Sequence, residues 1–78
     1  MTLRKRWRGL DRSTVGAAPD RYGYYELGDD DGDVIGRDWG VLQDELKEVL
    51  AYGDAAQVRW QVAEHREHAK DLFEEHGD

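Results

Sequence analysis

Four groups of side chains have the types and spacing that chemistry requires. Asp29-Asp30-Asp31-Gly32-Asp33 sets carboxylates at alternate positions around a bend, as a hard cation would demand. His65, His68 and His76 stand near Glu64, Glu67, Glu74 and Glu75, and the i, i+3 pair His65/His68 has the reach of two metal ligands on one helix face. Tyr24 and Tyr25, with Arg21, Arg37 and Arg59, have the composition of a stacking platform for single-stranded nucleic acid. Arg4, Lys5, Arg6 and Arg8 form a basic start that suits a phosphate backbone or an acidic protein.

Each group also has a plainer account. The aspartates lack the twelve-residue continuation to a bidentate Glu of a helix–loop–helix calcium site, and they join strands, so a solvated turn suffices. The histidines are not spaced as His-Glu-x-x-His and lack an identifiable third ligand, so an exposed polar helix face explains them. The acidic balance of the chain opposes a phosphate backbone. No Ser-His-Asp set, phosphate-cradling glycine loop or dinucleotide fingerprint is present. The expected cofactor and metal content is none, and so is the expected catalytic set.

These groups need elements to place them. Tyr22, Tyr24 and Leu27, then Val34 and Ile35, supply strand formers on either side of Asp31-Gly32, a preferred pair for a tight hairpin. The spacing predicts strands over residues 22–27 and 33–37, ended by Gly36, Asp38 and Gly40. Tyr24 and Tyr25 must then point to opposite faces. Val41, Leu42, Leu46, Val49 and Leu50 make one helical stripe, started by Asp38 or Gly40 and closed by Gly53. Residues 57–63 alternate polar and apolar as a strand, with Val58, Trp60 and Val62 on one face. A last helix over 64–76 turns Ala69, Leu72 and Phe73 inward. Leu3, Trp7 and Leu10 at i, i+4 and i+7, after a capping Thr2, predict a first helix over 3–10. Residues 13–20, with Gly16 and Pro19, then read as a connector. The expectation is an α+β fold in the order α-β-β-α-β-α: a three-stranded antiparallel sheet with flanking helices. Residues 1–20 are its basic helix and connector, and 21–78 its acidic ββαβα body.

Composition narrows the setting. The 78 residues carry 11 Lys+Arg against 18 Asp+Glu, a formal net charge of −7, with no cysteine. Residues 1–20 hold five basic and two acidic side chains, leaving six basic and sixteen acidic for the rest. Lysine occurs only at Lys5, Lys47 and Lys70, and aspartate outnumbers glutamate. An Asp-rich, Lys-poor surface stays hydrated where salt screens its self-repulsion, so the expectation is a halophilic protein. No apolar run reaches the ~18 residues of a membrane span, and no secretory segment follows the basic start. The expected address is the cytoplasm, away from membranes.

Pro19 through Leu27, with Gly23-Tyr24-Tyr25, followed by Val34-Ile35-Gly36, resembles the opening of a GIY-YIG nuclease domain. The following helix, strand and helix fall in that family's order, over residues 19–76. The acidic composition in turn resembles that of small haloarchaeal proteins. The resemblance implies a shared layout with an incomplete set of catalytic groups. The second-motif tyrosine would be Val34 or Gly36, the phosphate-steadying arginine falls on Glu45, and the metal-binding glutamate falls on Phe73 or, one residue on, Glu74. Tyr25 alone stands in a catalytic position. The sequence is therefore read as a degenerate GIY-YIG-like interaction module with a protein partner. Nucleic-acid binding through Arg4, Lys5, Arg6, Arg8, Tyr24, Tyr25 and Arg37 is the alternative, and a residual metal-dependent nuclease a distant third.

Overall fold

A computed structural model describes residues 2–77. Its elements run β1 (Arg8–Gly9), α1 (Arg12–Ala17), β2 (Tyr22–Gly28), β3 (Val34–Val41), α2 (Leu42–Tyr52), β4 (Gln57–Val62) and α3 (Arg66–Glu75). The class is α+β, as expected, but the antiparallel sheet has four strands in the order β1-β4-β2-β3 and the chain order is β-α-β-β-α-β-α.

The alternation of β2 builds two cores. Tyr22 and Tyr24 turn to one face, where they meet Leu3, Trp39, Ala63, Ala69, Leu72 and Phe73. Tyr25 and Leu27 turn to the other, against Val15, Ala18, Leu42, Leu46 and Val58. α3 and the N-terminal arm therefore cover one side of the sheet, and α1 and α2 the other. Because β2 is central and helices lie on both faces, its side chains are inward whichever way they point. Tyr24 is 0 % exposed and Tyr25 4 %.

Several local expectations change. The helix over 3–10 is absent. That segment is extended, with Leu3 buried and Arg8–Gly9 paired to Val58 and Gln57 of β4. Eight residues crowded with like charge make a poor helix alone, and the tertiary contacts of the extended chain prevail. Helix forms instead in the expected connector. Asp11 caps α1, its Oδ1 accepting from Thr14 N–H at 2.8 Å, and Ala18 ends it before Pro19. That hydrogen bond lowers the Asp11 carboxyl below its ordinary value.

The hairpin is looser and longer than expected. Gly32 N–H closes a turn onto Asp29 C=O at 3.1 Å, and Gly32 takes φ +84°, a region glycine enters without steric cost. β3 continues through Gly36, Asp38 and Gly40 because Leu27, Tyr25 and Gly23 stand opposite them as ladder partners. α2 starts without a side-chain cap. Its first N–H groups donate instead to Arg21 C=O at 2.9 Å and Pro19 C=O at 3.2 Å. Gly53 ends α2 in an extended conformation, φ −97°, its N–H on Val49 C=O. α3 starts at Arg66, with His65 as its cap. No described helix is long and apolar enough to cross a membrane.

A basic cleft between the N-terminal arm and strand β4

The arm is held by one residue that the sequence did not single out. Glu26 is fully buried, on the same strand face as Tyr22 and Tyr24. Its carboxylate accepts Leu3 N–H at 3.1 Å to each oxygen, Tyr24 O–H at 2.6 Å and Arg59 Nε–H at 2.7 Å. A buried carboxylate is tolerable only when its lone pairs are met in this way. The available signal was an acid and an arginine on the inward faces of two strands, since Glu26 and Arg59 are direct cross-strand neighbours.

Arg59 passes the anchor outward. Its Nη1 donates to Lys5 C=O at 3.3 Å, and its guanidinium lies 4.0 Å over the Trp7 ring. Trp7 rests on Gly28, where an added Cβ would come within 2.8 Å of the indole. Arg8 lies 4.6 Å over Trp60. The arm pairs with β4 for two residues only. Before Arg8 it leaves the strand, opposite Arg59 and Trp60, and a cleft of about 350 Å³ opens there. Lys5, Arg6, Trp7, Arg8, Arg59 and Trp60 line it. Along β4, Gln57, Arg59 and Gln61 meet Gly28, Glu26 and Tyr24 of β2. Gly28 and Tyr22 accept from Ala56 and Ala63, so these even-numbered β2 residues turn their main chain to β4. By the two-residue alternation Trp60 aims its N–H and C=O the other way, into the cleft.

The residues proposed from sequence are thus dispersed. Lys5, Arg6 and Arg8 come together at the cleft, and Arg4 is exposed on the same arm. Tyr24 and Tyr25 are buried on opposite faces and present no ring to a base, which corrects the stacking platform. Arg37 sits across the sheet on β3, its Nη1 donating to Phe73 C=O at 2.6 Å and its guanidinium 4.1 Å over the Phe73 ring.

Tyr25 donates its O–H to Glu45 Oε1 at 2.9 Å. Burial first, and then this carboxylate, raise the Tyr25 phenol above the usual tyrosine range. Tyr24 is raised likewise, by burial and then by Glu26. Phe73 and Glu74 lie on α3, against the face opposite Tyr25. Tyr25 therefore meets a carboxylate on α2, and the sheet divides it from α3.

The metal candidates are locally engaged. His65 Nδ1 accepts His68 N–H at 3.2 Å, His68 Nδ1 accepts Glu64 N–H at 2.9 Å, and His76 stacks on Tyr24 at 5.2 Å. Asp29, Asp31 and Asp33 bring carboxylate oxygens within 4.8 Å of one another, an arrangement a cation could use. Asp29 Oδ1, however, already accepts Asp31 N–H and Asp33 N–H at 2.9 Å each, and so builds the turn itself.

No curated protein and no solved structure matches the chain. One family profile does, along residues 1–78, and the chain belongs to that family, described as Domain of unknown function (DUF7508).

Proposed function

We propose that the chain is a non-catalytic interaction module of a halophilic, cytoplasmic protein, receiving an acidic, extended segment of a protein partner in the arm–β4 cleft. The observation that carries this is the lining of the cleft, Lys5, Arg6, Arg8 and Arg59 around Trp7 and Trp60, on an otherwise acidic body. Glu26 neutralises Arg59, which leaves Lys5, Arg6 and Arg8 to meet incoming carboxylates. The open main chain of Trp60 offers an extended peptide one N–H and one C=O, as a strand edge does. The Trp rings give apolar contact to the stems of the incoming side chains.

The GIY-YIG-like layout serves in this reading as scaffold alone. Glu45 against Tyr25 places negative charge where a phosphodiester would have to sit, and that is unfavourable for binding and for the transition state. The cationic lining also favours a second reading, single-stranded nucleic acid at the same cleft. Against it, Arg8 and Arg59 already occupy Trp faces on which bases would stack.

An amide NMR titration at fixed salt separates the two. A short Asp/Glu-rich peptide is expected to move Lys5, Arg6, Trp7, Arg8 and Trp60, and Arg6→Glu with Arg8→Glu to weaken it by about tenfold or more. A stronger response to a single-stranded oligonucleotide at those residues would transfer the cleft to the second reading. An unmoved spectrum with both ligands would reject the cleft as a binding site.

A further inference from the structure

Helices α1 and α2 run antiparallel on one face of the sheet. The first N–H groups of α2 donate to Pro19 and Arg21 C=O, just beyond α1, and Gln43 Nε2 donates to Ala18 C=O at 3.4 Å. Arg12, at the start of α1, therefore lies beside the last turns of α2. Val15, Leu42 and Leu46 fill the space between the helices and the sheet. Toward the Arg12 end the surface opens into a groove of about 420 Å³, lined by Arg12, Lys47, Leu50 and Ala51. It shares no residue with the arm–β4 cleft.

The charges of this groove are unanswered. Each arginine of residues 21–78 has a partner: Arg21 donates to Ala63 C=O, Arg37 to Phe73 C=O, Arg59 to Glu26 and Arg66 to Glu67. Arg12 and Lys47 have neither hydrogen bond nor ion pair from their side chains among the described residues. Asp44 stands three residues before Lys47, at the spacing of a helix ion pair, and forms none. Asp11, next to Arg12, gives its Oδ1 to Thr14 N–H. Two free cations thus share one apolar groove in a chain of net charge −7, and a groove lined by one sign of charge gathers the opposite ion.

We infer that this groove binds a small organic carboxylate that carries one apolar ring or a short branched chain. The Arg12 guanidinium presents a planar pair of donors that matches a carboxylate, and the Lys47 ammonium adds a point charge beside it. These two groups satisfy two oxygens. A phosphate brings more oxygens than the groove can meet, because the N–H groups of Lys47, Leu50 and Ala51 are committed within α2. Leu50, Ala51 and the carbon stems of the two cations cover the apolar part of the ligand. No strand edge borders the groove, so an extended peptide finds no main-chain partner there. Both cations are exposed and the ligand is small, so the dissociation constant is about millimolar.

An amide and methyl NMR titration of the full chain with phenylacetate, at the lowest salt that keeps it folded, tests this. Shifts are expected at Arg12, Lys47, Leu50 and Ala51, with Lys5, Arg6, Trp7 and Arg8 unmoved. Phenethyl alcohol keeps the ring without the charge, and acetate the charge without the ring. Each should bind about fivefold more weakly or worse. Lys47→Glu should weaken phenylacetate by about tenfold or more and leave the far-UV circular dichroism unchanged, since Lys47 is exposed. Should that variant misfold, the comparison of the three probes on the wild type decides alone. Equal binding of the alcohol, tighter binding of phenyl phosphate, or shifts that fall in the arm–β4 cleft instead would overturn the inference. So would a groove whose four residues do not move at about 20 mM phenylacetate, well above the expected dissociation constant.

Discussion

At the scale of single residues, buried oxygen atoms do the organising. Glu26 ties three parts of the chain to one carboxylate, the arm through Leu3 N–H, its own strand through Tyr24, and β4 through Arg59. Glu26→Gln keeps the shape but removes the charge, and leaves the Arg59 guanidinium, 12 % exposed, without its counter-ion. Breaking a buried pair from one side costs about 3 kcal/mol or more, a large part of a small domain's stability. Urea unfolding should show that loss, with the Leu3 amide exchanging faster than the β2 ladder. The two buried phenols make a pH prediction. Burial and the neighbouring carboxylates raise both in the folded state, Tyr24 beside Glu26 and Tyr25 beside Glu45. A group whose folded value lies above its unfolded one stabilises fully below the unfolded value, about 10 for tyrosine, and loses that contribution as pH rises through the folded one. Stability should therefore fall above about pH 10, and ring-carbon NMR should show Tyr24 and Tyr25 still protonated there.

At the scale of elements, what was legible depended on whether a local pattern and its tertiary partner agreed. β4 was readable because Gln57–Val62 alternates without interruption and each apolar residue does reach the core. α2 was readable because Leu42 and Leu46 define one face and both are fully buried. The arm was not. Leu3, Trp7 and Leu10 keep helical spacing, but Leu3 N–H goes to Glu26, Trp7 goes to the space over Gly28, and Leu10 N–H goes to Ala56 C=O at 3.0 Å. These partners are remote in sequence, so periodicity cannot reveal them. The same remoteness hid the cleft. Its basic residues Lys5, Arg6 and Arg8 are adjacent in the sequence, but Arg59 and Trp60 join them only because the arm crosses β4 as an extended chain. β3 ran past its expected end for a related reason: Gly36, Asp38 and Gly40 are poor strand formers alone and adequate ones opposite a central strand. Tyr24 and Tyr25 were correctly expected on opposite faces. Leu42 and Leu46 of α2 cover the face of Tyr25, and Val15 of α1, a short helix that Gly16 and Pro19 obscure in the sequence, adds to the same core.

At the scale of the whole molecule, charge opposes compactness. A net −7 on 78 residues is strong self-repulsion for a chain that buries only ~60–65 % of its unfolded surface. Salt acts on two terms of opposite sign. It screens repulsion among the acids of the body, and it also screens attraction between the basic arm and that body. The first should dominate. The acids outnumber the arm's cations, their repulsion extends over the whole surface, and the Debye length falls from ~30 Å at 0.01 M salt to ~3 Å at 1 M. The arm's main anchor is shielded from this, because Glu26 is fully buried and salt weakens buried pairs little. The urea midpoint should therefore rise steadily from millimolar to molar potassium chloride. Far-UV circular dichroism at low salt should show partial unfolding that added salt reverses. Sodium chloride should act alike if screening is the cause. A midpoint that is flat, or that falls with salt, would show that the arm–body attraction outweighs the repulsion, and the acidic surface could then not be read as an adaptation to salt.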